Sequence, residues 1–240
     1  MKIQDVPKFG NLKGVKVLLH ATNIAAPFAA SLMAENGATV LFLESTLTPD
    51  TGRVNDPPYL VPQERRNMLG MNLNLLTAEG KEIFLKLIKE IDIIFEGNKG
   101  GTYDKWGLSD EFLWKHNPKL VIVHVSGFGQ NGVAEYVTRP CYDAIAQAFG
   151  GYTFQNGVPG GEAIKAGQYA GDYITSLFAC WSALAAYINA QKTGKGDSID
   201  VAMYETLWKV QANVSIEYFR DGIIETRCGN NYPKSLCSGN

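Results

Sequence analysis

The first half of the chain alternates between two patterns of apolar and polar positions. Short continuous apolar runs rich in β-branched residues are typical of strands buried on both faces, and apolar residues at three- and four-residue spacing are typical of helices. The first pattern predicts strands at residues 15–21, 38–44, 92–97 and 119–129. The second predicts helices between them, at residues 24–37, 77–91 and 109–117. Strands that alternate with helices favour an α/β fold with a Rossmann-like, doubly wound parallel sheet.

The pattern changes after the second predicted strand and again near the end of the chain. Residues 45–72 are rich in Pro and Asp and are predicted to be irregular. A long apolar helix is predicted from about Asp172 to Lys192. Residues 219–240 are polar and Gly-rich and contain no pattern of a helix or strand that would complete a domain. We therefore expect one domain over residues 1–218, and the start of a linker or small domain, cut short, over residues 219–240.

Composition favours a folded protein with a sizeable core. The 240 residues are 45% hydrophobic and 19% charged, and the net charge of −2 comes from well-mixed acids and bases. No basic run indicates a nucleic-acid or membrane surface. The N-terminus lacks a signal-peptide pattern, and no run reaches eighteen apolar residues, so we expect a cytoplasmic protein without a membrane segment.

The cysteines and histidines argue against a metal site. Four cysteines form no Cys-x-x-Cys pair, and only three histidines are available, so zinc binding is not expected. Scattered thiols are typical of a reducing compartment. His20 and His124 lie within apolar strand patterns, which favours core histidines with satisfied hydrogen bonds over catalytic bases.

The glycine pattern argues against a bound dinucleotide. The first strand-to-helix turn, HATNIAAPF, has no glycine, although a pyrophosphate cradle needs close backbone approach at that point. The segment SGFGQNG contains Gly-x-Gly, but it follows a later strand. The Gly-x-Ser-x-Gly elbow of serine hydrolases is also absent.

Several charged residues have both a structural and a functional interpretation. Lys99 and Lys105 flank a Gly-rich loop after the strand at residues 92–97, where parallel sheets bind ligands, yet solvated loop lysines give the same pattern. Arg53 and Arg65 lie in the irregular segment and are candidates for phosphate positioning or for ordinary loop charges.

Asp172 presents the sharpest choice between the two interpretations. An acid at a helix N-terminus accepts backbone N–H bonds and suits the helix dipole, which needs no function. However, Asp172 follows Gly171, where the backbone allows close approach, so its carboxylate is also a candidate nucleophile toward an acyl group.

Six segments, taken in order, resemble the class III CoA-transferase family, which includes formyl-CoA transferase and L-carnitine CoA-transferase. They are GVKVLLHATNIAAPFAASLMAENGATVLFLE, NLNLLTAEGKEIFLKLIKEIDIIFEG, NPKLVIVHVSGFGQNG, YDAIAQAFGGY, AGQYAGDYITSLFACWSALAAY and KTGKGDSIDVAMYE. The resemblance covers most of the chain to about Glu205. PKFGNLKGVKV and HNPKLVIVHVSGFGQ are most similar to the carnitine-type members. The fold that it implies is the Rossmann-like large domain of this family.

The resemblance implies a role for Asp172, which falls at the family's nucleophilic aspartate. It would form a mixed anhydride with the donor's acyl group and then an aspartyl-CoA thioester. Acyl-CoA would be a substrate, and neither a permanently bound cofactor nor a metal would be required.

The resemblance also implies contacts with CoA. Lys99 and Lys105 fall at basic CoA-contacting positions, and Asn23, Ile24 and Ala25 fall at the turn that lines the CoA site. Ser126 replaces a lysine of the formyl-CoA branch, which argues against oxalate chemistry.

The resemblance leaves the acid open. Carnitine, crotonobetaine or butyrobetaine is the first expectation, and a 2-hydroxy acid or a dicarboxylate is the second. An acyl-CoA racemase, which would need a His/Asp base pair, and a non-catalytic CoA-binding subunit are the alternatives. Family members are longer and form interlocked homodimers, so we expect the full-length protein to be such a dimer.

Overall fold

A computed structural model describes residues 8–54 and 60–231 of the chain. Its centre is a six-stranded sheet with strand order β3-β2-β1-β4-β5-β6, in which every neighbouring pair is parallel. The strands are β1 (Lys16–His20), β2 (Thr39–Ser45), β3 (Met68–Leu73), β4 (Ile93–Glu96), β5 (Val121–Ser126) and β6 (Ser198–Ala202). The predicted doubly wound α/β fold is therefore confirmed, and the strand order reverses direction between β1 and β4.

Helices connect the strands and cover both faces of the sheet. The longer ones are α1 (Ala25–Glu35), α4 (Ala78–Ile88), α6 (Asp110–His116), α8 (Asp143–Phe149), α10 (Ala170–Thr193), α11 (Met203–Lys209) and α12 (Val214–Asp221). The short ones are α2 (Thr51–Val54), α3 (Leu60–Glu64), α5 (Thr102–Lys105), α7 (Ala134–Val137) and α9 (Tyr152–Gln155). Ser109 caps α6, because its hydroxyl accepts a hydrogen bond from the Phe112 backbone amide.

The prediction that residues 45–72 are irregular was wrong. This segment contains α2, α3 and most of β3. β3 has the sequence MLGMNL, which lacks β-branched residues and includes Gly70, so it carries little strand signal. It lies at the edge of the sheet, and among the described strands it pairs with β2 alone, so backbone pairing to β2 stabilises it rather than burial on both faces.

Two hydrophobic clusters lie on the two faces of the sheet. On one face, the alanine-rich sides of α1 and α10 pack against each other. This contact fully buries Ala29, Ala30, Ala179 and Ala183. On the other face, Phe84 of α4 and other large residues of α4 and α6 cover the sheet. Small side chains allow α10 to lie close to α1, and this packing places the beginnings of the two helices side by side.

Among the described helices, α10 alone is long and apolar enough to span a membrane by length and composition, a test that core helices also pass. It packs against α1, α8, α11 and β5. Leu177, Trp181 and Ile188 nevertheless form an exposed apolar stripe along it.

The end of the described chain packs on the segment around α9. α12 runs across the predicted domain boundary after residue 218 and ends at Gly222, whose φ is 69°. Beyond it, Arg227 donates hydrogen bonds to the carbonyl oxygens of Phe154 (2.8 Å) and Gly161 (3.1 Å).

Candidate active site

A cleft of about 370 Å³ opens at the carboxyl ends of β1, β4 and β5, beside the point where the strand order reverses. This is where open parallel sheets bind ligands. The predicted site residues that line it are Asn23, Ala25, Lys99, Ser126 and Asp172. The structure therefore brings together residues from four separate segments of the sequence.

Asp172 lies in the first turn of α10 but does not cap it. The helix begins after Tyr169, which has a left-handed backbone (φ 56°). The Tyr169 side chain makes no capping hydrogen bond to the helix. The Asp143 carboxylate instead accepts a hydrogen bond from the Gly171 amide at 2.7 Å. Because Asp143 performs this capping function, the Asp172 carboxylate is free to face the cleft.

Asp172 is only 8% exposed and forms no ion pair with any described residue. Burial raises the pKa of its carboxyl group to about 7, and the negative charges of Asp143 and Glu64 contribute, while the Ala25 amide opposes the shift. A poorly solvated carboxylate without a counter-ion is a stronger nucleophile than one in water.

The turn between β1 and α1 lies against Asp172 and is held by a buried network. Asn23 adopts a left-handed backbone (φ 64°), which asparagine tolerates better than most residues. Arg65 donates a hydrogen bond to the Asn23 carbonyl at 3.0 Å and forms a buried ion pair with Asp50. The Thr51 hydroxyl bonds to the Asn23 side chain. The network explains how a turn without glycine can follow β1.

The beginnings of α1 and α10 are also joined directly. The Ser176 hydroxyl lies 2.6 Å from the Ala25 carbonyl oxygen and 2.7 Å from that of Asp172. Ile24 lies in the core rather than in the cleft.

The four basic residues predicted to bind CoA or phosphate differ in their surroundings. Lys99 lines the cleft, and its ammonium group makes no hydrogen bond or ion pair with any described residue. Lys105 is exposed at the end of α5 and does not line the cleft. Arg53 is 3.1 Å from Glu44 in an ion pair at a separate depression. Arg65 belongs to the buried network, so both arginines have structural partners.

Sequence reasoning missed several residues of the cleft wall. Asn98 comes two residues after the end of β4, and its position after a predicted strand was a usable signal. Arg139, Cys141 and Tyr142 come from the connection between α7 and α8, which has no regular pattern. Burial, followed by the charge of Asp172, raises the pKa of the Cys141 thiol to about 12, so this thiol stays protonated.

A second cleft of about 310 Å³ adjoins the first and shares Thr22, Gly97 and Asn98 with it. It extends past the ends of β1 and β2 toward Trp106 and Leu75. The two clefts together form a continuous depression along the carboxyl edge of the sheet.

The histidines at the ends of β1 and β5 both have hydrogen-bond partners. Nδ1 of His20 lies 2.7 Å from the Tyr103 hydroxyl, and burial lowers the pKa of His20 to about 4. Burial also lowers the pKa of His124, but hydrogen bonds to Asp110 and Glu96 outweigh this effect and raise it to about 10. Neither ring lines the cleft that contains Asp172.

Within residues 8–54 and 60–231, no group of three or more His, Cys, Asp or Glu side chains is arranged to hold a metal ion.

Two curated relatives are similar to the chain over nearly its whole length. Bile acid CoA-transferase BaiK of Clostridium scindens is 50% identical over 228 residues, which cover 95% of this chain and 51% of that protein. L-carnitine CoA-transferase of Proteus mirabilis is 44% identical over 219 residues, which cover 91% of this chain and 53% of that protein. The chain thus spans about half the length of the curated relatives it matches.

Solved structures and a family model agree with these relatives. A crystal structure of a CaiB/BaiF family protein from Brucella suis superposes with a TM-score of 0.88 at 30% identity, covering 96% of this chain and 63% of that one. The family model described as CoA-transferase family III matches residues 12–240. The chain therefore belongs to CoA-transferase family III, as its resemblance to the family predicted.

Proposed function

We propose that the chain carries the nucleophile and most of the CoA site of a class III CoA-transferase. The observation that supports this most strongly is the setting of Asp172, a buried carboxylate that lines a cleft at the carboxyl edge of a parallel sheet and has no counter-ion within residues 8–54 and 60–231. A structural acid at this depth is normally paired with a cation, and Asp172 is not.

CoA would lie along the two adjoining clefts. Its thiol end would reach Asp172, and its nucleotide end would extend past Gly97 and Asn98 toward Trp106. Lys99 and Arg139 line the first cleft and would contact phosphate oxygens, with Lys99 the better candidate because Arg139 is already ion-paired to Glu135.

The transfer would proceed through covalent intermediates on Asp172. Its carboxylate attacks the thioester carbonyl of the donor, and the C–S bond breaks to give a mixed anhydride and CoA thiolate. The thiolate attacks the aspartyl carbonyl, which releases the donor carboxylate and leaves an aspartyl-CoA thioester. The acceptor carboxylate attacks this thioester to form a second anhydride, and the returning thiolate takes the new acyl group. One thioester replaces another, so no nucleotide hydrolysis is needed.

For the acceptor, we propose a carboxylic acid of the carnitine, crotonobetaine or butyrobetaine type, because the 44% identical relative is an L-carnitine CoA-transferase. A larger apolar acid is the second candidate. It is favoured by the side chains of Val125, Phe128, Val137 and Met203, which give the first cleft an apolar wall, and by the similarity to a bile acid CoA-transferase.

We also propose that the full-length protein is a cytoplasmic homodimer that binds neither nucleic acid nor membrane. The exposed stripe of Leu177, Trp181 and Ile188 on α10 supports the dimer, because an apolar stripe of this kind is normally covered.

The test is intact-mass spectrometry of the full-length protein after mixing with a panel of acyl-CoAs that includes carnitinyl, crotonobetainyl and bile acyl thioesters. A hydroxylamine-labile CoA adduct on Asp172 is expected, and the donor that loads it fastest identifies the acid. Asp172→Ala should form no adduct and retain CoA binding, while the exposed Asp221→Ala serves as the matched control.

Two outcomes of this experiment would contradict the proposal. Exchange of the α-proton in D2O without an adduct would indicate a racemase. CoA binding with neither adduct nor turnover would indicate a non-catalytic subunit.

A further inference from the structure

Ionisable side chains form a row across four neighbouring strands, at their carboxyl ends. In the sheet register, His20 of β1 is paired with Glu96 of β4. Glu96 is paired in turn with His124 of β5, which is paired with Asp200 of β6. Paired residues of parallel strands point to one face, and this row lies on the face covered by α4 and α6, opposite α10.

Glu96 is the centre of this row and uses both of its carboxylate oxygens. Oε1 lies 2.7 Å from Nδ1 of His124. Oε2 accepts hydrogen bonds from the backbone amide of Asn98 at 2.9 Å and from the Asn98 side chain at 2.8 Å. Glu96 is 2% exposed and lines neither of the two clefts. Its contact with the site is therefore indirect, through Asn98.

The far end of the same loop is tied to the row by a second route. The backbone N–H of Gly101 donates to the side-chain Oε1 of Gln130 at 3.1 Å, and the backbone N–H of Gln130 donates to the Asp200 carboxylate at 2.7 Å. The loop over residues 98–101 is thus held at both ends. Lys99, which lies between these points, reaches the cleft from a backbone that cannot shift freely.

His124 has a second partner that fixes its ring. Nε2 lies 3.1 Å from Asp110, which also accepts a hydrogen bond from the Ser198 hydroxyl. With both ring nitrogens bonded to carboxylates, the imidazole has one orientation, and it holds Oε1 of Glu96 in place while Oε2 faces Asn98.

We propose that Glu96 is a positioning residue for CoA binding, and that His124 fixes its orientation. Stability alone is a weak reason for such a group, since buried ion pairs can often be replaced by apolar residues without loss. The contact that an apolar residue could not supply is the double hydrogen bond to Asn98 at the start of the CoA loop. The inference rests on the proposed function, because it takes this loop to contact CoA.

The kinetic test compares Glu96→Gln with Asp110→Asn in the full-length protein. Glu96→Gln retains the volume but loses one of the acceptor oxygens, so KM for acyl-CoA should rise about tenfold or more, with kcat at saturation nearly unchanged. Asp110→Asn removes a charge but retains an oxygen that can accept a hydrogen bond from Nε2 of His124, so the ring keeps its orientation. Asp110 has no bond to the loop, so this variant should lower the melting temperature and leave KM close to that of the unaltered protein. Equal KM values for the two variants would overturn the proposal.

Hydrogen exchange provides a readout that does not depend on turnover. In the unaltered protein the Asn98 and Gly101 amides should exchange more slowly than the Lys99 amide, and both Glu96→Gln and His124→Gln should accelerate exchange at Asn98. Unchanged exchange at Asn98 in a folded variant would reject the positioning role. An unaltered protein that protects Asn98 but forms no CoA adduct would instead reject the proposed function, so the two failures are distinguishable.

Discussion

Two groups of buried acids lie at the same edge of the sheet, on opposite faces, and they differ in their counter-ions. On the α10 face, Asp172 lies near Asp143 and Glu64 and forms no ion pair with any residue that the structure describes, whereas Asp143 lies 3.5 Å from Lys165. On the other face, Glu96 and Asp110 both bind His124. Burial raises the pKa of Asp110 as well, yet hydrogen bonds from His124 and Ser198 outweigh it and lower the pKa below its usual value.

The comparison separates two properties of a buried carboxylate, its desolvation and its pairing with a cation. Desolvation raises the free energy of a charge on either face. A bonded cation offsets that cost for Glu96 and Asp110, and none offsets it for Asp172 among the residues that the structure describes. The paired acids hold neighbouring groups in place. The unpaired acid retains a poorly solvated charge that is available for chemistry, and it is the one that lines the cleft.

The largest expected effect is on transfer activity. Asp172→Ala should reduce kcat for CoA transfer by about 10⁴-fold or more, because no described carboxylate can replace it at the cleft. Steady-state transfer between an acyl-CoA and a free acid measures this. A reduction of less than about tenfold would show that the covalent intermediate forms elsewhere, and Asp221→Ala should be fully active.

The second largest expected effect is on the free energy of unfolding, and it concerns the cluster of Glu96, Asp110 and His124. His124→Gln leaves Glu96 and Asp110 buried without a cation, which should lower the free energy of unfolding by about 3–5 kcal/mol. Urea denaturation followed by circular dichroism measures the change. His116→Gln, on a histidine outside the cluster, should stay within about 0.5 kcal/mol, and a similar value for His124→Gln would remove the distinction between the two groups.

The pH dependence of stability should run in different windows for the two groups. The folded-state pKa of Asp172 is raised to about 7, so the stability that its protonated form provides is complete near pH 4 and is lost as the pH rises through 7. Asp172→Asn should therefore gain stability relative to the unaltered protein between pH 5 and 8, by at most roughly 4 kcal/mol.

For His124, the folded-state pKa of about 10 means that its stabilising effect is complete below about pH 6.5 and is lost as the pH rises through 10. The cost of His124→Gln should accordingly shrink progressively as the pH rises from about 6.5 to about 10. Thermal melts of both variants across pH 5–11 check the two windows, and a single shared window would contradict the comparison.

The smallest expected effect comes from Asp143. Asp143→Asn retains an acceptor for the Gly171 amide but removes a negative charge near Asp172, so it should lower the pKa of Asp172 by roughly one unit. The acidic limb of the kcat/KM profile should move to lower pH by the same amount. An unchanged limb would show that burial alone sets this pKa.

The sequence by itself determined the parts of this protein that depend on local pattern. Apolar runs and helical spacing were sufficient for β1, β2, β4, β5 and α10, because strands and helices buried on fixed faces need regular apolar positions. The motif resemblance was sufficient for the family, and it drew attention to Asp172 and Lys99, which the structure places in one cleft.

The tertiary structure decided whatever depends on partners distant in sequence. β3 exists because its backbone pairs with β2, although MLGMNL carries no strand pattern. Whether Asp172 is a cap or a free carboxylate was undecidable locally, since the answer depends on Asp143 accepting the Gly171 amide from 28 residues away. The charge on His124 likewise depends on Glu96 and Asp110, and only folding brings them within hydrogen-bond distance. Pairing sets the free energy of a buried charge, and the partners here come from separate elements of the fold.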